Sequence, residues 1–223
     1  MTNNQYFDLL MWARTTGFDI ALTIMVGGIL LRVIEIVVLG RKKDFAKAKG
    51  SPVTQGIKTI FSRSVPRKGT MKEAPVTYIG GYIFHIGFFV AFLFLGAHIA
   101  LIKDLIGLSW PDFNKAVIET AVALAIVAAA ALAYTRFTDP VRRRLTGWSD
   151  WFVLIVSVLP LITGYIAVNK VFGVDGTLWM AIHILSAELL MVSFPFTKLM
   201  HAVTFAMARY YNGSIQGRKG AES

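Results

Sequence analysis

Four histidines offer the clearest chemistry in this 223-residue chain. His85 and His98 lie in one apolar run, Val76 to Leu101, and His183 and His201 lie in another, Thr177 to His201. Imidazole is a ligand for iron, zinc and copper near neutral pH. Read as one helix, the second run separates its histidines by five whole turns, so both rings point the same way about 27 Å apart along the axis. A single small ion cannot reach both, which argues against zinc or copper held by one helix.

The elements that must position these rings are membrane helices. The chain is 55% hydrophobic, with a mean hydropathy of +0.59, as expected of a polytopic membrane protein rather than a soluble domain. It contains no cysteine, which removes disulfides, thiolate-held clusters and thioether-attached haem. The mixed stretch 1–18 lacks a basic start and a small-residue cleavage site and is not read as a cleaved signal peptide. The spacing predicts an all-α membrane protein, one integral-membrane domain over residues 1–223, with five spans at about 19–39, 76–101, 116–134, 151–168 and 177–201. Residues 41–75 are read as a basic cytoplasmic loop, because Pro52, Pro66, Pro75 and several glycines exclude a spanning element. Arg32 and Glu35, at i, i+3, are read as a snorkelling pair at the interface.

Charge placement predicts the orientation. The 41–75 connection, the 136–150 turn and the segment from Lys198 onward carry ten, four and four Lys or Arg, whereas the other side carries Arg14, Lys103, Lys115 and Lys170. The positive-inside rule then puts the N-terminus outside and the C-terminus in the cytoplasm. The same placement accounts for most of the net charge of +10 without nucleic acid and leaves membrane lipid or an acidic partner surface as counterparts.

In that topology the two histidine-bearing helices are antiparallel. His85 and His201 share the cytoplasmic level, and His98 and His183 share the external level. Two imidazoles from facing helices at each level match haem iron with two axial histidines, the porphyrin sitting between helices. A lone histidine in an apolar helix is ordinarily a hydrogen-bonded packing residue. Four of four in two such helices point instead to ligation, and hence to two haem b groups with His85, His98, His183 and His201 as iron ligands.

Three stretches also carry a family resemblance: FHIGFF at 84–89, HILSAELLMVSFPFTKLMH at 183–201 and the turn DPVRRRLTGWSDWFVL. They resemble the respiratory nitrate reductase gamma subunit, a five-span dihaem cytochrome b, and its relatives linked to sulfite reduction and heterodisulfide reductase. The resemblance implies a subunit in the cytoplasmic (inner) membrane of a prokaryote. It would exchange electrons between quinol or quinone and cytoplasmic iron–sulfur or catalytic subunits, alongside other membrane or external cytochrome subunits. It would have no terminal-substrate chemistry of its own. The chain departs from that family in two ways. Its helix-two histidines stand thirteen residues apart, a rotation of roughly 220° on one straight helix, so a distortion near Gly87 or Gly96 and a kink at Pro195 would be needed to align the rings. The loop before the fifth span is also very short.

The resemblance matches Lys115 to a quinol-site lysine. Quinol oxidation needs partners for the ring oxygens and a route for protons, which Lys115, Asp112 and Glu119 would supply at the external interface. Arg136 and Arg142, with Arg143 and Arg144, stand where propionates of the cytoplasmic haem would emerge. Glu188, between the two levels, is read as a packing hydrogen bond in preference to a proton relay. Trp110, Trp148, Trp151 and Trp179 read as an interfacial belt. Two other classes fit the residues: a proton-path transporter or channel subunit, or a structural membrane anchor with one haem or none.

Overall fold

A computed structural model describes residues 3–40, 45–66, 69–171 and 175–221. Part of the basic connection, Arg41 to Asp44 with Arg67 and Lys68, and part of the loop before the fifth span, 172–174, lie outside the described residues. The fold is all helical, with no strand among the described residues. Five helices are long and apolar enough to cross a membrane: Asn4–Leu39, Pro75–Phe94, Lys115–Thr138, Trp148–Asn169 and Gly176–Phe196. The chain is therefore a multi-pass membrane protein by the length and composition of its helices.

The first of these begins much earlier than residue 19. Helix α1 (Asn3–Trp12) passes through a π turn, Ala13–Gly17, directly into α2 (Phe18–Leu39). Near the end of α2, Arg32 pairs with Glu35 at 2.8 Å, as their spacing predicts. The basic connection is not simply a loop, because it contains the helix α3 (Pro52–Ser62). Pro52 occupies the first helical turn, where its missing N–H costs nothing, and the Ser51 hydroxyl accepts from the Thr54 N–H. A short turn, α4 (Thr70–Glu73), leads to α5 (Pro75–Phe94).

The second predicted span, 76–101, is two helices. Leu95 is extended (φ −80°, ψ 127°) and ends α5, and α6 (Gly96–Ile106) starts afresh. No proline causes this break; donors from elsewhere stabilise it. The indole N–H of Trp110 donates to Leu93 O at 2.7 Å, the Phe113 N–H donates to Phe94 O at 3.0 Å, and the His98 ring reaches Ala91 O. These carbonyls lie in the last turn of α5, which a helix end leaves unpaired. Stacking of Phe94 on Phe113, with centroids 4.2 Å apart, closes the same corner.

After Gly107 the chain returns as α7 (Lys115–Thr138), capped by the Asn114 side chain, then α8 (Pro140–Leu145) and α9 (Trp148–Asn169). The core of this part is Ala91, Ile118, Val122, Ala125 and Leu161. Small residues set the α5–α7 approach: a Cβ on Gly87 would collide with the Ala121 carbonyl.

The fifth predicted span, 177–201, also ends early. Helix α10 (Gly176–Ser193) gives way to a 3₁₀ turn, Phe194–Phe196, around the buried Pro195. Thr197 is extended (φ −125°, ψ −178°), and after a second 3₁₀ turn, Lys198–Met200, α11 (His201–Lys219) begins. His183 and His201 are thus not on one straight helix, and the five-turn argument does not apply to them.

The chain divides into two compact units: Met1–Thr23 with Ala74–Val192, and Ile24–Glu73 with Ser193–Ser223. In the second unit Pro195 fills the space over Gly28, and its carbonyl accepts from Arg32 Nε at 3.3 Å. In that same unit α3 packs antiparallel on α11. Arg209 donates to Ile60 O (3.0 Å) and the Ser64 hydroxyl (2.7 Å), and at the other end Lys49 N–H donates to Arg218 O at 2.8 Å. Gly213 and Gly217, one turn apart on α11, face Gln55, Thr59 and Ser51 so closely that a Cβ at either would strike them.

Candidate functional site

The first unit brings His98 and His183 together. Their ring centroids are 6.1 Å apart and their planes differ by 22°. The break at Leu95 makes this possible. It frees His98 from the rotation that thirteen residues of straight helix would impose and turns its ring back toward α5, where Nδ1 donates to Ala91 O at 3.0 Å. His183 projects from α10 toward α9. Its Nδ1 lies 3.1 Å from Pro160 O and 3.4 Å from the Thr163 hydroxyl. That hydroxyl also meets Ser186 Oγ at 3.0 Å, a buried polar cluster beneath the ring. Gly164 leaves the ring its space, since a Cβ there would come within 2.9 Å of His183 Cε1.

His85 and His201 are held in a different way. Each is exposed and turned back on its own stretch of chain, with His85 Nδ1 at 2.6 Å from Gly81 O and His201 Nδ1 at 2.7 Å from Lys198 O. They belong to different units. In all four histidines, then, Nδ1 faces a backbone carbonyl. A carbonyl can only accept, so Nδ1 carries the proton, and in the neutral ring Nε2 carries the lone pair. A histidine that binds a metal through Nε2 has this tautomer, fixed by a hydrogen bond from Nδ1 to a group behind the ring.

The centroid separation of the His98–His183 pair also equals the one that two axial imidazoles on a single iron require. With a metal–nitrogen bond of about 2 Å and about 1 Å from Nε2 to the ring centre, two axial imidazoles have centroids about 6 Å apart. Two histidines do not make a zinc or copper cage, and no group of three or more ligating side chains occurs among the described residues.

No protein-family model matches this chain. No solved structure matches it. A curated protein of Nitratidesulfovibrio vulgaris is 36% identical over 138 residues, and its description is the single word "Protein". The match covers 62% of this chain and 60% of that protein, so the chain spans about three fifths of the length of the curated relative it matches.

The other predicted residues are distributed around this geometry. Lys115 opens α7, as expected, and its ammonium lies 3.4 Å from Glu119 Oε1, an approach that makes an ion pair without hydrogen-bond geometry. Asp112 is exposed and sets its carboxylate over Gly96, two residues from His98. Of the three, Asp112 is the one set against the corner that carries His98, and Lys115 and Glu119 lie on the first turns of α7. Arg142 is engaged within the protein: it pairs with Asp139 at 3.1 Å and donates to the hydroxyls of Thr135 (3.2 Å) and Thr77. Arg136 is half-buried in the last turn of α7.

Two readings change. Trp110 is no simple interfacial anchor, because it holds the α5 break through Leu93 O. Glu188 is buried over Gly17, at the π turn, and its Oε1 has no hydrogen-bond partner among the described residues, so the expected packing hydrogen bond at that oxygen is absent there. Pro160, Thr163, Gly164 and Ser186 went unnoticed in the sequence as supports of His183. Part of their signal is present all the same: a Thr-Gly pair inside an apolar helix sets a hydroxyl beside a missing side chain.

Proposed function

We propose that this protein is a membrane-anchor cytochrome b that passes electrons between the quinone pool and a cytoplasmic iron–sulfur or catalytic partner. The observation that carries the reading is the His98–His183 pair. Two imidazoles come from separate helices at bis-axial separation, and each is oriented by a backbone carbonyl through Nδ1. His98 and His183 would hold one haem b, and His85 and His201 a second. When bound, haem supplies reversible one-electron exchange. The charge asymmetry of the connections supports an N-terminus outside and a C-terminus in the cytoplasm, in the inner membrane of a prokaryote. The His98 corner then lies at the external level.

The chain's own residues have separate tasks there. Pro160 O and Ala91 O fix the tautomer and direction of the two rings. Phe92, its ring 5.9 Å from that of His98, sets an apolar group beside the pair. Asp112, Lys115 and Glu119 offer donors and acceptors to quinol oxygens and a path for two protons to the external water. Arg142, already paired with Asp139, is a weaker candidate for a propionate than Arg136.

A reduced-minus-oxidised spectrum with haem quantitation on purified protein tests this. Two b haems per chain are expected. His98→Ala or His183→Ala should remove one and leave the other, and His85→Ala or His201→Ala should do the converse. A colourless protein would overturn the reading in favour of a proton path. A single haem insensitive to His98 and His183 would leave a structural anchor.

A further inference from the structure

Helix α3 carries more exposed apolar surface than a soluble loop helix should. Val53, Ile57 and Phe61 are all exposed, Phe61 to 71%, and at about 100° per residue they fall within roughly 80° of arc. Val65, just past the helix, extends the row, and Phe45 ahead of it is 93% exposed. This stripe is not the face packed on α11. That face is Gly56 and Thr59, both buried, which lie about 100° and about 160° round the helix from the stripe's centre. Helix α3 is thus apolar on a side that none of the described residues of its own unit covers.

Charge surrounds the stripe. Lys58 borders it on the helix, Lys47 and Lys49 precede it and Arg63 follows it, all exposed. Residues 45–66, 69–73 and 193–221 carry nine Lys or Arg and one acid, Glu73. An aliphatic and phenyl stripe flanked by cations is the composition of a helix lying in the plane of an anionic membrane surface. The tethers suit that position. Residues 40–51 follow the long apolar α2, whose exposed Val37, Val38 and Leu39 end it, and α11 starts only five residues after Phe196, the end of the fifth long helix. Because Gly213 and Gly217 lock α3 against α11 at backbone distance, α3 is held beside a helix that itself begins where a span ends.

We propose that α3 lies in the membrane–water interface on anionic headgroups, with Val53, Ile57 and Phe61 in the acyl boundary and Lys58 in the headgroup layer. The helix pair would thereby anchor the connection between the first two spans to acidic lipid. This does not depend on whether the protein binds haem.

The absence of cysteine allows single spin labels to be placed on the full-length protein in nanodiscs. Labels at Ile57→Cys, Phe61→Cys, Lys58→Cys and Ser62→Cys should divide into two groups. Positions 57 and 61 should favour oxygen over a water-soluble nickel complex, and 58 and 62 should show the reverse. The contrast should be strongest in phosphatidylglycerol-containing bilayers and collapse when Lys47, Lys49 and Arg63 are all changed to Glu. Equal water accessibility at all four positions in anionic bilayers would overturn the proposal. So would protection at 57 and 61 that rises with the protein-to-lipid ratio, which would identify a second copy as the occupant. Each variant is matched to its parent by circular dichroism, and Val53→Cys replaces any label that unfolds α3.

Discussion

The two sets of histidines are fixed by opposite means. His98 and His183 owe their orientation to distant chain: a carbonyl across a helix break in one case and a carbonyl on a neighbouring helix, twenty-three residues away, in the other. His85 and His201 are oriented by carbonyls four and three residues back on their own stretches. A ring fixed by its own helix depends only on that turn surviving. A ring fixed by tertiary contacts depends on every element that builds the corner. The His98–His183 pair should therefore be sensitive to substitutions that touch no histidine, and the other two should not.

The largest effect expected from such a remote change is at Gly164. A Cβ there would lie 2.9 Å from Cε1 and 3.1 Å from Nδ1 of His183, closer than real side chains approach. The ring must move off Pro160 O, or α9 and α10 must part. Overpacking of this kind costs about 1–3 kcal/mol. Gly164→Ala should lower the melting temperature and, on the haem reading, remove or strongly shift one b-haem spectrum while the other is unchanged. Equal perturbation of both haems, or of neither, would erase the contrast between the two sets.

Sequence reading recovered the parts that depend on composition and local spacing. Long apolar runs located all five long helices, because hydrocarbon thickness sets their length. The Arg32–Glu35 pair followed from i, i+3 spacing, and α7 starts at Lys115, one residue before the predicted span. What was not legible is tertiary in origin. The stretch Leu95-Gly96-Ala97-His98 reads as continuing helix, and only Trp110 and Phe113, supplying donors from beyond α6, show why it breaks. The kink at Pro195 was legible, but the extended Thr197 that separates α10 from α11 was not. Helix α3 was hidden by treating Pro52 as a breaker, when Ser51-Pro52 is a cap followed by a first-turn proline. The early start of the first helix was hidden by polar residues among 3–17, which a π turn carries through without a break.

A smaller change tests the break itself. Trp110→Phe keeps the ring and deletes the N–H, leaving Leu93 O at the end of α5 without that donor. A half-buried carbonyl left unpaired costs about 1–2 kcal/mol. The expected outcome is a modestly lower melting temperature with a measurable change at the His98 site and none at His85. Trp148→Phe serves as the control: Trp148 is 79% exposed, so the same chemical change there should leave stability as it was.

The smallest effect belongs to Lys115, and it separates anchoring from chemistry. Its ammonium is two-thirds exposed and meets Glu119 at 3.4 Å on the same helix face. Exposed pairs of this kind contribute no more than about 0.5 kcal/mol, so Lys115→Ala should leave the melting temperature within error. If Lys115 serves only as an interface anchor, quinol-dependent reduction should also be unchanged. If it binds a quinol oxygen beside the His98 corner, reduction by quinol should fall at least about tenfold, the scale expected for loss of a charged hydrogen-bond partner. Reduction by dithionite, which needs no quinol site, should not change. A loss of both reductions, or of stability, would mean that Lys115 supports the fold structurally and would remove it as a quinol ligand.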